Sequence, residues 1–426
     1  MPNEERALAT IETILKVKPI KDADNIEMVQ VRGWECVTKK GTFKEGDPCV
    51  YFEIDSVLPE EERYKFLSNS WNKRMQGYRI KTIRLRGQIS QGLALPISEF
   101  PEIEYGVKDG TMPPGTDVTD LLNVRIYQEP EKGGGAPSRG DFPSHVIPKT
   151  DEERVQNVNV VQLLEALKAV YDYDGSAYMR AARDIDLTEV MAAEGEEAVK
   201  GGPFSPTPQI PGSVYYVSEK LDGSSMTIWS VTEEFAEKHN IDQVGIASRN
   251  KTIDYEKADR DERYEGSFMR WYKNNKAKVD LIANLNDRVA APHFPKNFAL
   301  QGELIGPGIQ GNPYGLDEVQ WCIFNLYDID LEVHREVDTM LQVASSIGLE
   351  CVPFHGVSLT PLVVNTLLTD RDEFQKPFEE DNPSRMGAGL PIEGRVFRPF
   401  WSIPRNIKSQ VCFKVINNEY LLKHSS

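Results

Sequence analysis

The stretch EPEKGGGAPSRGD, residues 129–141, constrains this chain more than any other: three consecutive glycines, two prolines and mixed charge do not run through a packed core. A chain of 426 residues also exceeds the roughly 250–300 residues that one core serves, so this joint marks off a first domain, residues 1–128. Within that domain residues 7–58 alternate short apolar runs with turn signals such as DADN and KEGD. That spacing reads as strands of a small barrel and not as βαβ units. A second breaker-rich joint, GGPFSPTPQIPG, precedes a strand-rich region that stays mixed to the end. The expected order is a barrel domain (1–128), a linker (129–157), an acidic helical insertion (158–208) and a second large domain (209–426). In the insertion Val160, Leu163, Leu164, Leu167 and Val170 recur at helical spacing.

Composition narrows the class. With 40% hydrophobic and 27% charged residues the chain reads as globular and soluble. No apolar run reaches the ~18 residues of a membrane span, and MPNEERALAT lacks the regions of a signal peptide. A cytoplasmic protein with no membrane partner is expected. Five scattered cysteines and six histidines show no ligand spacing, which argues against disulfides or a thiolate zinc site. A formal charge of −17 argues against indiscriminate coating of nucleic acid but leaves a local basic groove open. The stretch YRIKTIRLRGQISQGLALP supplies candidates: strand parity places Arg79 and Lys81 on one face, Arg84 and Arg86 on the other. Spacing alone leaves two readings, a solvated basic strand or a phosphate-tracking groove.

The chemistry concentrates after residue 209. In YVSEKLDGSS, Lys220 stands between Glu219 and Leu221-Asp222-Gly223, a pattern common to surface turns and to nucleophiles alike. Further segments decide between them. VGIASRN ends a strand on Arg249; ALQGELIGPG sets Glu303 inside an apolar strand; QWCIFNLYDI carries Phe324; LPIEGRVFRP presents Glu393; VCFKVI sets Lys414 among apolar neighbours. Charges inside such strands must be paired, metal-bound or functional, because an isolated buried charge is costly. A lysine amine attacks phosphorus only when uncharged, so a pKa near 10.4 must fall through desolvation or neighbouring cations, for which Arg249 and Lys414 are the candidates. Asp222, Glu303 and Glu393 are hard oxygen ligands suited to Mg²⁺ through its waters. Phe324 offers a flat face for a base, or is a plain core aromatic. Gly223 permits close backbone approach to a ribose and phosphate, with Ser225 as a sugar contact.

In this order the segments EKLDGSS, SRN, GELIGPG, CIFNLYDI, IEGRVFR and FKVI resemble the motifs of covalent nucleotidyltransferases, which comprise ATP-dependent DNA ligases, RNA ligases and mRNA capping enzymes. The chain ends 12 residues after Lys414, leaving no room for the C-terminal OB domain of DNA ligases and capping enzymes. The first domain and FPSHVIPKTDEERVQN instead resemble RNA ligases of the Deinococcus and Naegleria type. That resemblance implies a multidomain α+β protein: an N-terminal OB-like barrel, then an ATP-grasp-like nucleotidyltransferase domain of antiparallel sheets with helices. It implies ATP and Mg²⁺ or Mn²⁺ as cofactors, Lys220 as the nucleophile that forms lysyl-AMP, and nicked duplexes with an RNA 3′-OH strand as partner. Glu219, Asp222, Gly223, Ser225, Arg249, Glu303, Phe324, Glu393 and Lys414 would then hold the nucleotide. A monomer is the expected state. The alternatives are a DNA ligase, a capping guanylyltransferase or a non-catalytic RNA-binding protein. The fifth motif departs from the usual K-x-K: Ile416 stands where the second lysine belongs, with Lys408 or Lys423 as substitutes.

Overall fold

The computed structural model describes residues 6–127, 136–173, 214–261, 265–285, 295–379, 383–387 and 389–424. Two compact units emerge: Met1–Pro130 together with Asn418–Ser426, and Glu131–Asn417. The last nine residues therefore belong with the first unit, where sequence spacing puts them in the second domain.

In the first unit a five-stranded antiparallel sheet runs in the order Leu93–Pro96, Pro48–Phe52, Ala9–Pro19, Ile26–Val31, Trp34–Lys39. The long first strand serves two partners. Residues 9–13 pair with Pro48–Phe52 and residues 14–19 with Ile26–Val31, and a register shift between Ile14 and Lys16 lets it bend. The sheet curls far enough for the Val37 N–H to donate to Ser90 Oγ at 2.9 Å, just ahead of the opposite edge strand. Ile11, Val50, Phe52 and Phe100 fill one core; Val29, Val31, Trp34 and Cys36 fill another.

Arg79 to Arg86 do not form one strand, which corrects the parity assignment. Arg79 ends the Gly77–Arg79 strand, whereas Thr82–Leu85 pairs with Gln88–Gln91 as a separate hairpin. Arg86 (φ 51°) and Gly87 (φ 85°) form its two-residue loop, in the left-handed conformation such tight turns demand. The C-terminal helix Asn418–His424 packs in this unit, its Asn418 Oδ1 accepting from Gln91 Nε2 at 3.2 Å and Glu419 pairing with Arg84.

The described residues of the second unit form two sheets. The larger runs Ser138–Asp141, Lys251–Ile253, Val244–Ser248, Ser224–Ser230, Phe298–Ile305, Gln320–Asp328, Val333–His334, Ile403–Pro404, with Glu350–Cys351 alongside Gln320–Asp328. The smaller runs Glu153–Arg154, Phe413–Ile416, Gly394–Pro399, Val214–Lys220, Phe354–Leu359. Helix Val160–Tyr173 opens the acidic insertion, and Leu163 and Leu167 bury against Val217, Phe397 and Phe413 of the smaller sheet. The rest of the insertion lies outside the described residues. All five cysteines are free thiols, and no described helix is long and apolar enough to cross a membrane.

Candidate active site

The strand VYYVSEK is hydrogen-bonded on both sides, to Gly394–Pro399 and to Phe354–Leu359. Lys220 at its end is thus held at a fixed position on the rim of the smaller sheet. Alternation turns Tyr215 and Val217 into the helix-covered core and leaves Ser218 and Lys220 facing a cleft of about 430 Å³. The chain then crosses to the larger sheet in three residues. Leu221 is buried as the anchor, the Asp222 N–H donates to Tyr314 Oη at 2.7 Å, and Gly223 passes against Phe298–Ile305. A Cβ on Gly223 would lie 2.5 Å from the Leu304 carbonyl oxygen and 2.7 Å from Glu303 Cγ. The close approach that requires glycine is therefore to the chain's own next strand.

Three other strands bring in the remaining charges. Glu303 stands opposite Ser225 in the larger sheet, so the two share a face. Glu393 immediately precedes Gly394–Pro399, and Lys414 pairs with Val396 of that strand. Lys220 Nζ donates to Glu393 Oε1 at 2.5 Å, while Glu393 Oε2 is buried with no partner among the described residues. Ser225 Oγ lies 3.2 Å from Thr150 Oγ1. Phe324 is half-buried in the cleft wall, with the Arg398 guanidinium 5.7 Å from its ring centre.

The electrostatics correct one expectation. Burial opposes the charge on Lys220, but Glu393, Glu303 and Asp222 outweigh it and hold its pKa above the usual lysine value. The free protein keeps this amine protonated. Arg249 does not neutralise the effect, since it is exposed and paired with Asp151 at 2.8 Å. Lys414 is itself pushed down to about 8 by burial, then by Arg154 and Lys220. Burial, with the carboxylates of Glu393 and Asp222, raises Glu303 to about 8 despite Lys220. Glu219 lines the cleft as well, and its carboxylate accepts from Ser384 Oγ, from the Arg385 N–H at 3.0 Å, and pairs with His355 Nε2 at 3.0 Å.

The segment FPSHVIPKTDEERVQN, residues 142–157, supplies residues that spacing does not single out. Glu153–Arg154 adds a parallel strand beside Phe413–Ile416 and sets Arg154 opposite Lys414. Glu152 pairs with Arg398 at 3.1 Å and Lys408 at 3.2 Å. Burial works against the Glu152 charge, yet Lys408, Arg398 and Lys414 bring its pKa down to about 2. Lys408 is thus committed to Glu152, and Lys423 lies on the helix of the first unit. Arg154 occupies the place beside Lys414.

The four basic residues expected to contact nucleic acid are spread over separate elements, although burial and then the nearby Arg79 charge lower the pKa of Lys81. Arg79 pairs with Asp55 at 2.9 Å and stacks 3.5 Å from the Tyr127 ring centre; Lys81 is half-buried, Arg84 pairs with Glu419, and Arg86 is exposed in its turn.

Among the described residues no three histidine, cysteine or carboxylate groups stand close enough to ligate one ion directly. The orphaned Glu393 oxygen beside Glu303 and Asp222 suits a hard cation that keeps its waters, as Mg²⁺ does.

Comparison with known proteins matches residues 213–416 to the family model for RNA ligase and residues 8–97 to one for an OB-fold domain. No curated protein sequence gives a significant match. Among solved structures, a Naegleria gruberi RNA ligase variant with ATP and Mn is 29% identical, with a TM-score of 0.71 over 99% of this chain and 100% of that one. The same ligase with PPi is 29% identical at a TM-score of 0.70, covering 99% of both chains. Another variant, apo, is 30% identical at 0.71, again over 99% of both.

Proposed function

The chain belongs to the RNA ligase family, and from that membership we propose that it seals 3′-OH/5′-phosphate breaks through lysyl-AMP, its preferred break being a nick whose 3′-OH strand is RNA. It is an ATP-dependent enzyme, and the relatives solved with Mn and either ATP or AMP support ATP with a divalent cation as its cofactors. One observation carries the assignment of roles: a lysine fixed at a strand end, 2.5 Å from a half-buried glutamate, in a cleft that Asp222, Glu303 and Lys414 also line.

Lys220 Nζ attacks the α-phosphorus of ATP; the N–P bond forms, the bond to the pyrophosphate oxygen breaks, and pyrophosphate leaves. The ammonium proton passes first to Glu393 Oε1, which already accepts its hydrogen bond and whose proton affinity is raised by burial. A divalent cation held through water by Asp222, Glu303 and Glu393 would supply the positive charge that favours the neutral amine. Lys414 and Arg249, which line the cleft, face the phosphates and hold them as charge shifts toward pyrophosphate. Phe324 stacks on the adenine, braced from behind by Arg398. AMP then passes to the 5′-phosphate of the broken strand, and the 3′-OH displaces it to close the phosphodiester.

The test is a protein labelled with α-labelled ATP and chased with nicked duplexes whose terminal 3′-OH nucleotide is ribo or deoxyribo. The ribo-ended nick should discharge the label into sealed strand and the deoxyribo-ended nick should lag. Equal sealing would overturn the RNA preference, and labelling by GTP in place of ATP would overturn the ligase roles.

A further inference from the structure

The strand Gln320–Asp328 carries one residue more than its neighbour can pair. Gln301 stands opposite Asn325 and Gly302 opposite Ile323, so Phe324 faces no residue of Phe298–Ile305. A β-bulge of this kind gives up a ladder pair to re-aim a side chain. Here it puts consecutive side chains on one face. Phe324 lines the cleft that holds Lys220, and Asn325 Nδ2 donates to Gln301 Oε1 at 2.6 Å, on the face of Phe298–Ile305 that also presents Glu303.

Two links hold the bulge in place, and both lead to residues 148–152. Asn325 is tied through Gln301, whose Nε2 donates to the Pro148 carbonyl oxygen at 2.9 Å. Phe324 is tied through Arg398, whose Nη1 donates to the Phe324 carbonyl oxygen while Nη2 pairs with Glu152 Oε1 at 3.1 Å. The same guanidinium stands 5.7 Å from the Phe324 ring centre. Gln301, Asn325 and Arg398 are buried, so these bonds form away from water, where an unmade one is costly. Only a planar fork reaches a carbonyl and a carboxylate at once; the ammonium of a lysine is a single point of charge. Lys408 holds Glu152 from a second side at 3.2 Å.

We infer that Glu152 and Arg398 are positioning residues for the nucleotide base. The fork between them fixes the bulge, and with it the ring against which the base stacks. The inference rests on the role given to Phe324 in lysyl-AMP formation and adds what sets that ring: the stretch ahead of the nucleophile, acting through a carboxylate bound to Arg398 and Lys408.

The experiment uses the full chain and compares ATP with ribose 5-triphosphate, which keeps the sugar and the phosphates but has no base. The kcat/KM of lysyl adduct formation is measured with both in the wild type, Arg398→Lys, Glu152→Gln and Phe324→Ala, with folding checked by circular dichroism. Arg398→Lys keeps the charge and loses the fork. Each variant is expected to lose about tenfold of the preference for ATP over the base-free substrate. Arg398→Lys placed on Phe324→Ala should take away no more, since the ring it positions is gone. A wild-type preference in folded Arg398→Lys would overturn the inference, and so would losses that add in the double variant. Equal slowing with both substrates would overturn it as well, by giving Arg398 to the phosphates. Should Arg398→Lys fail to fold, Glu152→Gln reads the same preference with the guanidinium in place, and a wild-type value there overturns the inference equally. A wild-type protein that forms no adduct with ATP refutes the ligase reading; adducts formed with the preference intact in the variants refute only the positioning role.

Discussion

Lys220 is held protonated chiefly by Glu393, and Glu393, Glu303 and Asp222 are also the acids around it suited to a hydrated cation. Cation binding and nucleophile activation therefore draw on one cluster. Glu303, raised to about 8, is protonated at neutral pH in the metal-free protein and must lose that proton to face a cation. Binding of Mg²⁺ or Mn²⁺ at pH 7 should release a proton, seen as buffer-dependent heat in calorimetry. Its affinity should climb as pH rises toward 8 and then level off. A pH-independent affinity in the wild type, or one unaltered by Glu303→Gln, would contradict this. The reactive residue types are legible in the sequence because each sits where an unpaired charge is intolerable: Glu303 in an apolar strand, Lys414 between Phe413 and Val415. Glu152 and Arg398 are not, because their roles arise from a pairing that spans 246 residues. The sign of the shift at Lys220 is hidden for a related reason: spacing gives no distances, and Glu393 lies nearer the amine than the cations that spacing nominates.

The strand and turn that carry Lys220 show how one element couples two sheets. Leu221 is the apolar anchor, and Gly223 is the side-chain-free point at which the chain clears the Leu304 carbonyl. Gly223→Ala should push the turn off Phe298–Ile305, costing about 1–3 kcal/mol in chemical denaturation and slowing lysyl-AMP formation well beyond that loss. Stability and rate at wild-type values would show that the neighbouring backbone yields. The period-2 pattern of VYYVSEK makes this strand readable. The hairpin Thr82–Gln91 reads instead as part of one basic strand, although its Arg-Gly pair carries the turn signal, since β-branched residues on both sides keep the alternation apparently unbroken. The parallel Glu153–Arg154 strand is two residues long, too short for any periodicity to announce it.

On the scale of the molecule the chain makes two units, and its last helix returns to the first of them. The linker composition makes the division readable, but not the return, because Arg84 and Glu419 are 335 residues apart in sequence. The side chains assigned to lysyl-AMP formation all lie in Glu131–Asn417. A chain cut after Asn417 should therefore keep ATP-dependent self-labelling, while the first unit, stripped of the helix that packs against its hairpin, melts at lower temperature. Loss of self-labelling together with an unchanged melting profile would be the reverse of that expectation. The central claim is that a single amine takes up AMP. Its most direct measurement is peptide mass mapping of the intact protein after incubation with ATP and Mg²⁺ or Mn²⁺. An AMP adduct confined to Lys220, and absent from Lys220→Ala, is the predicted result; an unmodified Lys220, or an adduct that survives that substitution, would contradict it.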